Sequence, residues 1–157
     1  MEPLYSLSQV AEFHRTFHAP VLPDPQIPAD KRAKLRYDLL AEELKEFWEA
    51  VEAKDIVGVA DALCDLQYVL SGAVLEFGLG EKFTALFNEV HRSNMSKACE
   101  TEAEAQATVA YYLDKDGTQA HYREDNGKWL VFRDADHKTL KSVNYSPADL
   151  ETILTNE

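Results

Sequence analysis

YDLLAEELKEFWEAVE, residues 37–52, is the stretch whose reading decides the fold. An α-helix turns about 100° per residue, so with Leu40 at zero, Leu44, Phe47 and Val51 fall within about 40° of it. They form one apolar stripe, the mark of a helix packed against neighbours. Glu43 and Glu46 lie at roughly −60° and −120° on the same wheel, on a flank shared with Leu39 and Ala50. Two carboxylates therefore stand on the shoulder of the stripe, where an adjacent helix can cover them. Glu42, Glu49 and Glu52 project further round, onto a face that reads as solvated.

The next segment repeats the arrangement. Asp55 is placed to cap a helix carrying Val59, Leu63, Leu66, Leu70, Val74 and Phe77, which Gly78 and Gly80 end. Asp61 and Asp65 are four apart, hence one above the other on a single face. Helices joined by a short loop pack antiparallel, so the two acidic shoulders can face each other. Carboxylates gathered in a partly dry cleft raise one another's pKa. A divalent cation relieves that repulsion, and an oxygen-only donor set suits hard Mg²⁺, with Mn²⁺ as an alternative. The residues alone read as a site for a Mg-bound phosphorylated ligand, weighed against a plain solvated acidic face.

Working outward, Ser6 or Ser8 is placed to cap a helix that ends near His18, with Leu7, Val10, Ala11, Phe13 and Phe17 as its apolar set. Four prolines from Pro20 to Pro28 forbid helix and predict a stiff connector to Asp30, where the second helix starts. A fourth helix is expected from about Glu81, with Phe83, Leu86, Phe87 and Val90 apolar. Residues 100–110 predict a short helix. QAHYRE and KWLVF, joined through Asp125-Asn126-Gly127, predict a β-hairpin, and PADLETIL a short terminal helix. The expected fold is mainly α: a four-to-five-helix bundle in residues 1–100, with residues 101–157 as an appendage packed on it. Its leftover apolar surface predicts a homodimer or homotetramer.

Composition bounds the function. The chain has 157 residues, 45% hydrophobic and 28% charged, which excludes a disordered chain. Lys plus Arg number 16 against 28 Asp plus Glu, a net charge of −12. That argues against a nucleic-acid binder and gives no attraction to anionic lipid. The stretch Val69–Gly80 reads as too short and too polar to span a bilayer. MEPLYSLSQV has neither the basic nor the apolar region of a signal peptide. Cys64 and Cys99, both in segments that read as helix, are expected to be reduced thiols of a cytoplasmic protein.

Three stretches carry a family resemblance. Glu42-Glu43-Leu44-Lys45-Glu46 matches an EExxE pattern, DALCDLQYVLSGAVLEFG follows it, and then comes Val90-His91-Arg92-Ser93-Asn94-Met95-Ser96-Lys97. Residues 6–97 thereby resemble the all-α nucleoside triphosphate (NTP) pyrophosphohydrolases, the MazG-like and phosphoribosyl-ATP pyrophosphohydrolase superfamily. The resemblance implies hydrolysis between the α and β phosphates, giving monophosphate and pyrophosphate, with housecleaning of nucleotide pools as a role. It implies Glu43, Glu46 and Asp65 as Mg ligands, with Glu42 beside them. Glu43 or Glu46 would orient or deprotonate the water. Many relatives carry Glu where this chain has Ala62, and Asp61 stands in as the substitute carboxylate. A phosphoribosyl-ATP hydrolase and a non-catalytic nucleotide- or protein-binding helical module are the alternatives.

Asn94 and Lys97 share a helix face and read as substrate contacts, with Arg92 and His91 beside them. The competing reading makes Lys97 a cap for the last helix carbonyls. His14 and His18 have a spacing zinc uses, but without a third ligand they read as packing. Phe13, Phe17, Trp48 and Tyr68 read as core first and base-stacking rings second. Trp129, Tyr122 and Phe132 are expected to pack the hairpin. No P-loop, GxGxxG or GxSxG motif is present.

Overall fold

The architecture comes from a computed structural model that describes residues 4–155. Helices α1 (Ser6–Thr16), α2 (Asp30–Ala53), α3 (Ile56–Glu76), α4 (Phe83–Met95), α5 (Glu102–Asp116) and α6 (Leu150–Thr155) carry most of the chain. Strands β1 (Ala120–Asp125) and β2 (Lys128–Arg133) lie between α5 and α6. The expected mainly α chain with one small hairpin is what is found. Two compact units divide between Phe83 and Thr84.

In the first unit, Lys54 and Asp55 alone join α2 to α3. Lys54 takes the left-handed conformation (φ 55°), and its N–H caps the Ala50 and Val51 carbonyls. The Asp55 carboxylate accepts the Val57 N–H at 3.0 Å, the cap its position predicts. A turn this short lays α3 back along α2, and Arg32 near the start of α2 bonds Glu76 at the end of α3. The proline connector returns over the end of α3. Its Leu22 and Gln26 N–H groups satisfy the Leu75 and Phe77 carbonyls, each at 3.0 Å. Gly78 is needed there: its φ is 68°, and a Cβ would lie 1.8 Å from the Asp24 carbonyl oxygen.

Three sequence expectations are corrected in this unit. Neither Ser6 nor Ser8 caps α1; Tyr5 occupies the cap position, and the Ser8 hydroxyl donates to its carbonyl. The buried side of α1 is Val10, Ala11 and His14, while Phe13 and Phe17 are exposed. The α2 stripe is not buried within the chain either: Leu44 is 59% exposed and Trp48 58%, and Leu63 and Leu70 of α3 are also open. A pair of helices and one short neighbour cannot enclose both sides of the hairpin. Helix α3, at 21 residues, is long and apolar enough to cross a membrane by length and composition, a test that Val69–Gly80 alone did not pass. Asp61 and Asp65 lie within that helix, and it packs on the charge-rich α2.

The second unit is built round β2. The turn residues Asn126 (φ 51°) and Gly127 (φ 77°) are both left-handed, as a two-residue hairpin with right-handed twist requires. β1 pairs with β2 in antiparallel register from Ala120↔Arg133 to Asp125↔Lys128. The opposite side of β2 is also paired: Cys99 exchanges both backbone bonds with Trp129, and Leu140 donates to Val131. Cys99 is therefore a strand-like residue rather than the helical one its segment suggests. Cys99, Ala105, Val131 and Leu140 form the buried core, with Tyr122 and Trp129 packed on it. Helix α5 runs past the expected end at Ala110, from a Thr101 cap to Gly117 at φ 75°.

Candidate active site

Two clusters of charge lie on the α2–α3 pair. The first is closed. Glu76 is fully buried, and both Arg32 and Arg36 donate to its carboxylate, Arg32 Nε at 3.0 Å. Burial works to raise the Glu76 carboxyl, but those hydrogen bonds and the two positive charges outweigh it and hold it below the ordinary carboxylate range. His14 Nδ1 donates to the Pro20 carbonyl at 2.8 Å, which leaves Nε2 to accept from Arg36 at 3.4 Å. Gly72 gives this group its room, since a Cβ would lie 2.7 Å from Arg36 Nη1 and 3.0 Å from His14 Nε2. Local sequence pattern does not announce the cluster. Its one local signal was Glu76, a charge interrupting an apolar run.

The second cluster is open. Glu43 is half-buried, while Glu42, Glu46, Asp61 and Asp65 are exposed. The Glu43 carboxyl is pushed above its ordinary value, first by burial, then by the charges of Glu46, Asp65, Glu42 and Asp61 in that order. The other four carboxylates expected from the sequence therefore all act on Glu43, and they come from both helices. Glu43 Oε2 is buried without a hydrogen-bond partner. An orphaned acceptor among like charges is costly unless something positive meets it. Among the described residues no three His, Cys, Asp or Glu side chains are gathered tightly enough to hold a metal ion. The oxygen-only donor chemistry of the five carboxylates fits a hard divalent cation. Ala62 is buried, whereas Asp61 beside it is exposed.

Asn94, Lys97 and Arg92 belong to the second unit. Lys97 lies beyond the end of α4 at Met95, so it does not share a helix face with Asn94, although its Nζ donates to Asn94 Oδ1 at 2.7 Å. Arg92 grips the Glu89 carboxylate at 2.8 and 2.7 Å and donates to the Pro147 carbonyl at 3.0 Å. That grip, with the Asp149 N–H, lowers the Glu89 carboxyl to about 2. Arg92 thus ties α4 to the segment before α6. His18 is exposed, whereas His14 is buried.

A family model described as Phosphoribosyl-ATP pyrophosphohydrolase matches residues 10–94, more than half of the chain. The matched stretch contains Glu42, Glu43, Glu46, Asp61, Asp65, Arg92 and Asn94. An uncharacterized protein of Acanthamoeba polyphaga mimivirus is 32% identical over 81 residues, covering 48% of this chain and 32% of that protein. The chain thus spans about a third of the length of the curated relative it matches.

Proposed function

The chain belongs to the phosphoribosyl-ATP pyrophosphohydrolase family, within the all-α MazG-like superfamily, and from that premise we propose a Mg²⁺-dependent nucleoside triphosphate pyrophosphohydrolase. The observation that carries this reading is the buried, partnerless Glu43 oxygen in the field of four further carboxylates. Glu42, Glu43, Glu46, Asp61 and Asp65 would hold the metal, with Mn²⁺ as a substitute. When bound, the cation neutralises the phosphate chain and acidifies a water. Glu46 orients that water and takes its proton, and Glu43 holds the charge balance beside it. The water oxygen bonds to the α-phosphorus, the bond to the bridging oxygen breaks, and pyrophosphate leaves. In the second unit, taken by itself, Lys97 is a point charge suited to phosphate and Asn94 an amide suited to a base edge, and both are proposed substrate contacts.

Phosphoribosyl-ATP is the second substrate reading, favoured by the description of the matched family. Its reaction breaks the same type of anhydride, so the carboxylate roles carry over unchanged. A second copy of the chain is the proposed cover for the open apolar face of α2 and α3, as a homodimer or homotetramer. Sedimentation at several concentrations tests that part.

The test of the reaction is turnover with Mg²⁺ against canonical and deoxynucleoside triphosphates, dUTP included, and against phosphoribosyl-ATP. Pyrophosphate and phosphate are assayed separately. Pyrophosphate with monophosphate, lost in Glu46→Gln, is the expected result. Orthophosphate as first product, or undiminished turnover in the variant, overturns it. Metal binding with no turnover on any substrate leaves the binding-module reading in its place.

A further inference from the structure

Beyond the family match, the second unit carries a pocket of about 380 Å³, a volume suited to a small ligand. Tyr111, Tyr112 and Tyr145 supply its rings, and Lys115 and Lys141 its charge. Lys115 Nζ lies 5.5 Å and 5.8 Å from the Tyr111 and Tyr112 ring centroids, and Lys141 Nζ 4.3 Å from that of Tyr145. Among the described residues neither lysine has a salt-bridge partner, although the chain carries a net charge of −12. The nearby acids are engaged elsewhere: Asp116 accepts from the Thr118 N–H and hydroxyl, and Glu104 from Ser142. The Tyr145 hydroxyl meets Ser93 Oγ at 2.9 Å. That bond, with the charges of Lys141 and Lys97 and a hydrogen bond from Lys141, holds Tyr145 below the usual tyrosine range against the opposing effect of burial.

Ammonium groups resting on ring faces are held weakly, and an anion competes well for them. A ligand that carries a flat ring and a phosphate matches both halves of the lining at once. We propose that this pocket binds a nucleoside 5′-monophosphate, its base against the tyrosine rings and its phosphate on Lys115 and Lys141. The flat-ring phosphate follows from the pocket alone. The choice of a nucleotide rests on the proposed hydrolase function, whose product is of that class.

The test is calorimetric titration of the full chain in EDTA with AMP, adenosine and ribose 5-phosphate. Without a divalent cation the acidic cluster repels phosphate, so binding heat reports the lysine pocket. AMP is expected to bind, with affinity about tenfold lower in Lys115→Gln and in Lys141→Gln, the loss of one charge-assisted contact. Both lysines are exposed, and circular dichroism checks that each variant folds. Adenosine and ribose 5-phosphate should each bind about tenfold more weakly than AMP, because each lacks one of the two recognised parts. No AMP binding, unchanged affinity in the double lysine variant, or ribose 5-phosphate equal to AMP would each overturn the proposal. Turnover is not read here, so failure leaves the hydrolase reading standing, and an inactive chain that still binds AMP fails only that reading.

Discussion

Near the start of α2 and the end of α3, Arg32 and Arg36 enclose a buried Glu76 with hydrogen bonds on both carboxylate oxygens. Nearer the Lys54–Asp55 loop, the same two helices present Glu43, Glu46, Asp61 and Asp65, whose like charges act on Glu43. The helices, their packing and their solvent are shared, so the difference lies in what the charges do. A buried charge that is fully paired fixes how two helices meet. Like charges left together and unpaired hold an attraction in reserve for something that arrives from outside. The Glu76 carboxyl is accordingly lowered and the Glu43 carboxyl raised, though burial works to raise both.

The comparison breaks most visibly at turnover. Glu46→Gln should reduce pyrophosphate release by on the order of 10²–10⁴-fold, the usual worth of a proton-transferring group. The same variant should unfold in urea at or above the wild-type midpoint, because it removes repulsion. Glu76→Gln should do the reverse to stability. It strands two arginines, one of them buried, and should lower unfolding free energy by about 3–5 kcal/mol, read from the same urea curves. A shift under about 0.5 kcal/mol would equate the buried cluster with a surface pair and dissolve the contrast.

Acid separates the two clusters by sign. The folded pKa of Glu43 lies above its ordinary value of 4.5, so stability rises as pH falls through the window from that raised value to 4.5. The folded pKa of Glu76 lies below 4.5, so its contribution is complete above 4.5 and is lost as pH falls beneath it. Unfolding free energies between about pH 7 and pH 3 should therefore lose the first slope in Glu43→Gln and the second in Glu76→Gln. Slopes of one sign in both variants would break the contrast. The smallest effect is expected at Glu49, whose pair with Lys45 at 3.1 Å is exposed on both sides. Glu49→Gln should change stability by less than about 0.5 kcal/mol and leave turnover unchanged, which sharpens the boundary of the acidic site.

What the sequence made legible is what periodicity and turn chemistry encode. The α2 and α3 helices, the Asp55 cap, the proline connector and the Asn126-Gly127 hairpin all follow from local pattern. The acidic site was legible for the same reason, since Glu43 with Glu46, and Asp61 with Asp65, each repeat at helical spacing within one segment. Pairing across 44 residues has no local signature, so the partners of Glu76 were not legible. Nor was the side on which the apolar stripe would be covered: Leu44 and Trp48 have the pattern of core residues, yet among the described residues nothing encloses them. Helix α5 outran its expected end because Tyr111 and Tyr112 carry no stop signal, and the cap comes only at Gly117.

The two-residue connection at Lys54–Asp55 has a further consequence, in the order of folding. Contacts near that loop close short stretches of chain and lose little entropy, whereas the Arg32–Glu76 contact must wait for 44 residues to align. The helical pair is therefore expected to zip from the loop outward. Substitutions beside Asp55 should slow refolding, and substitutions at Glu76 should mainly hasten unfolding. On that course the repelling carboxylates come together before the buried ion cluster locks, so a divalent cation present during refolding should speed the reaction as well as stabilise its product.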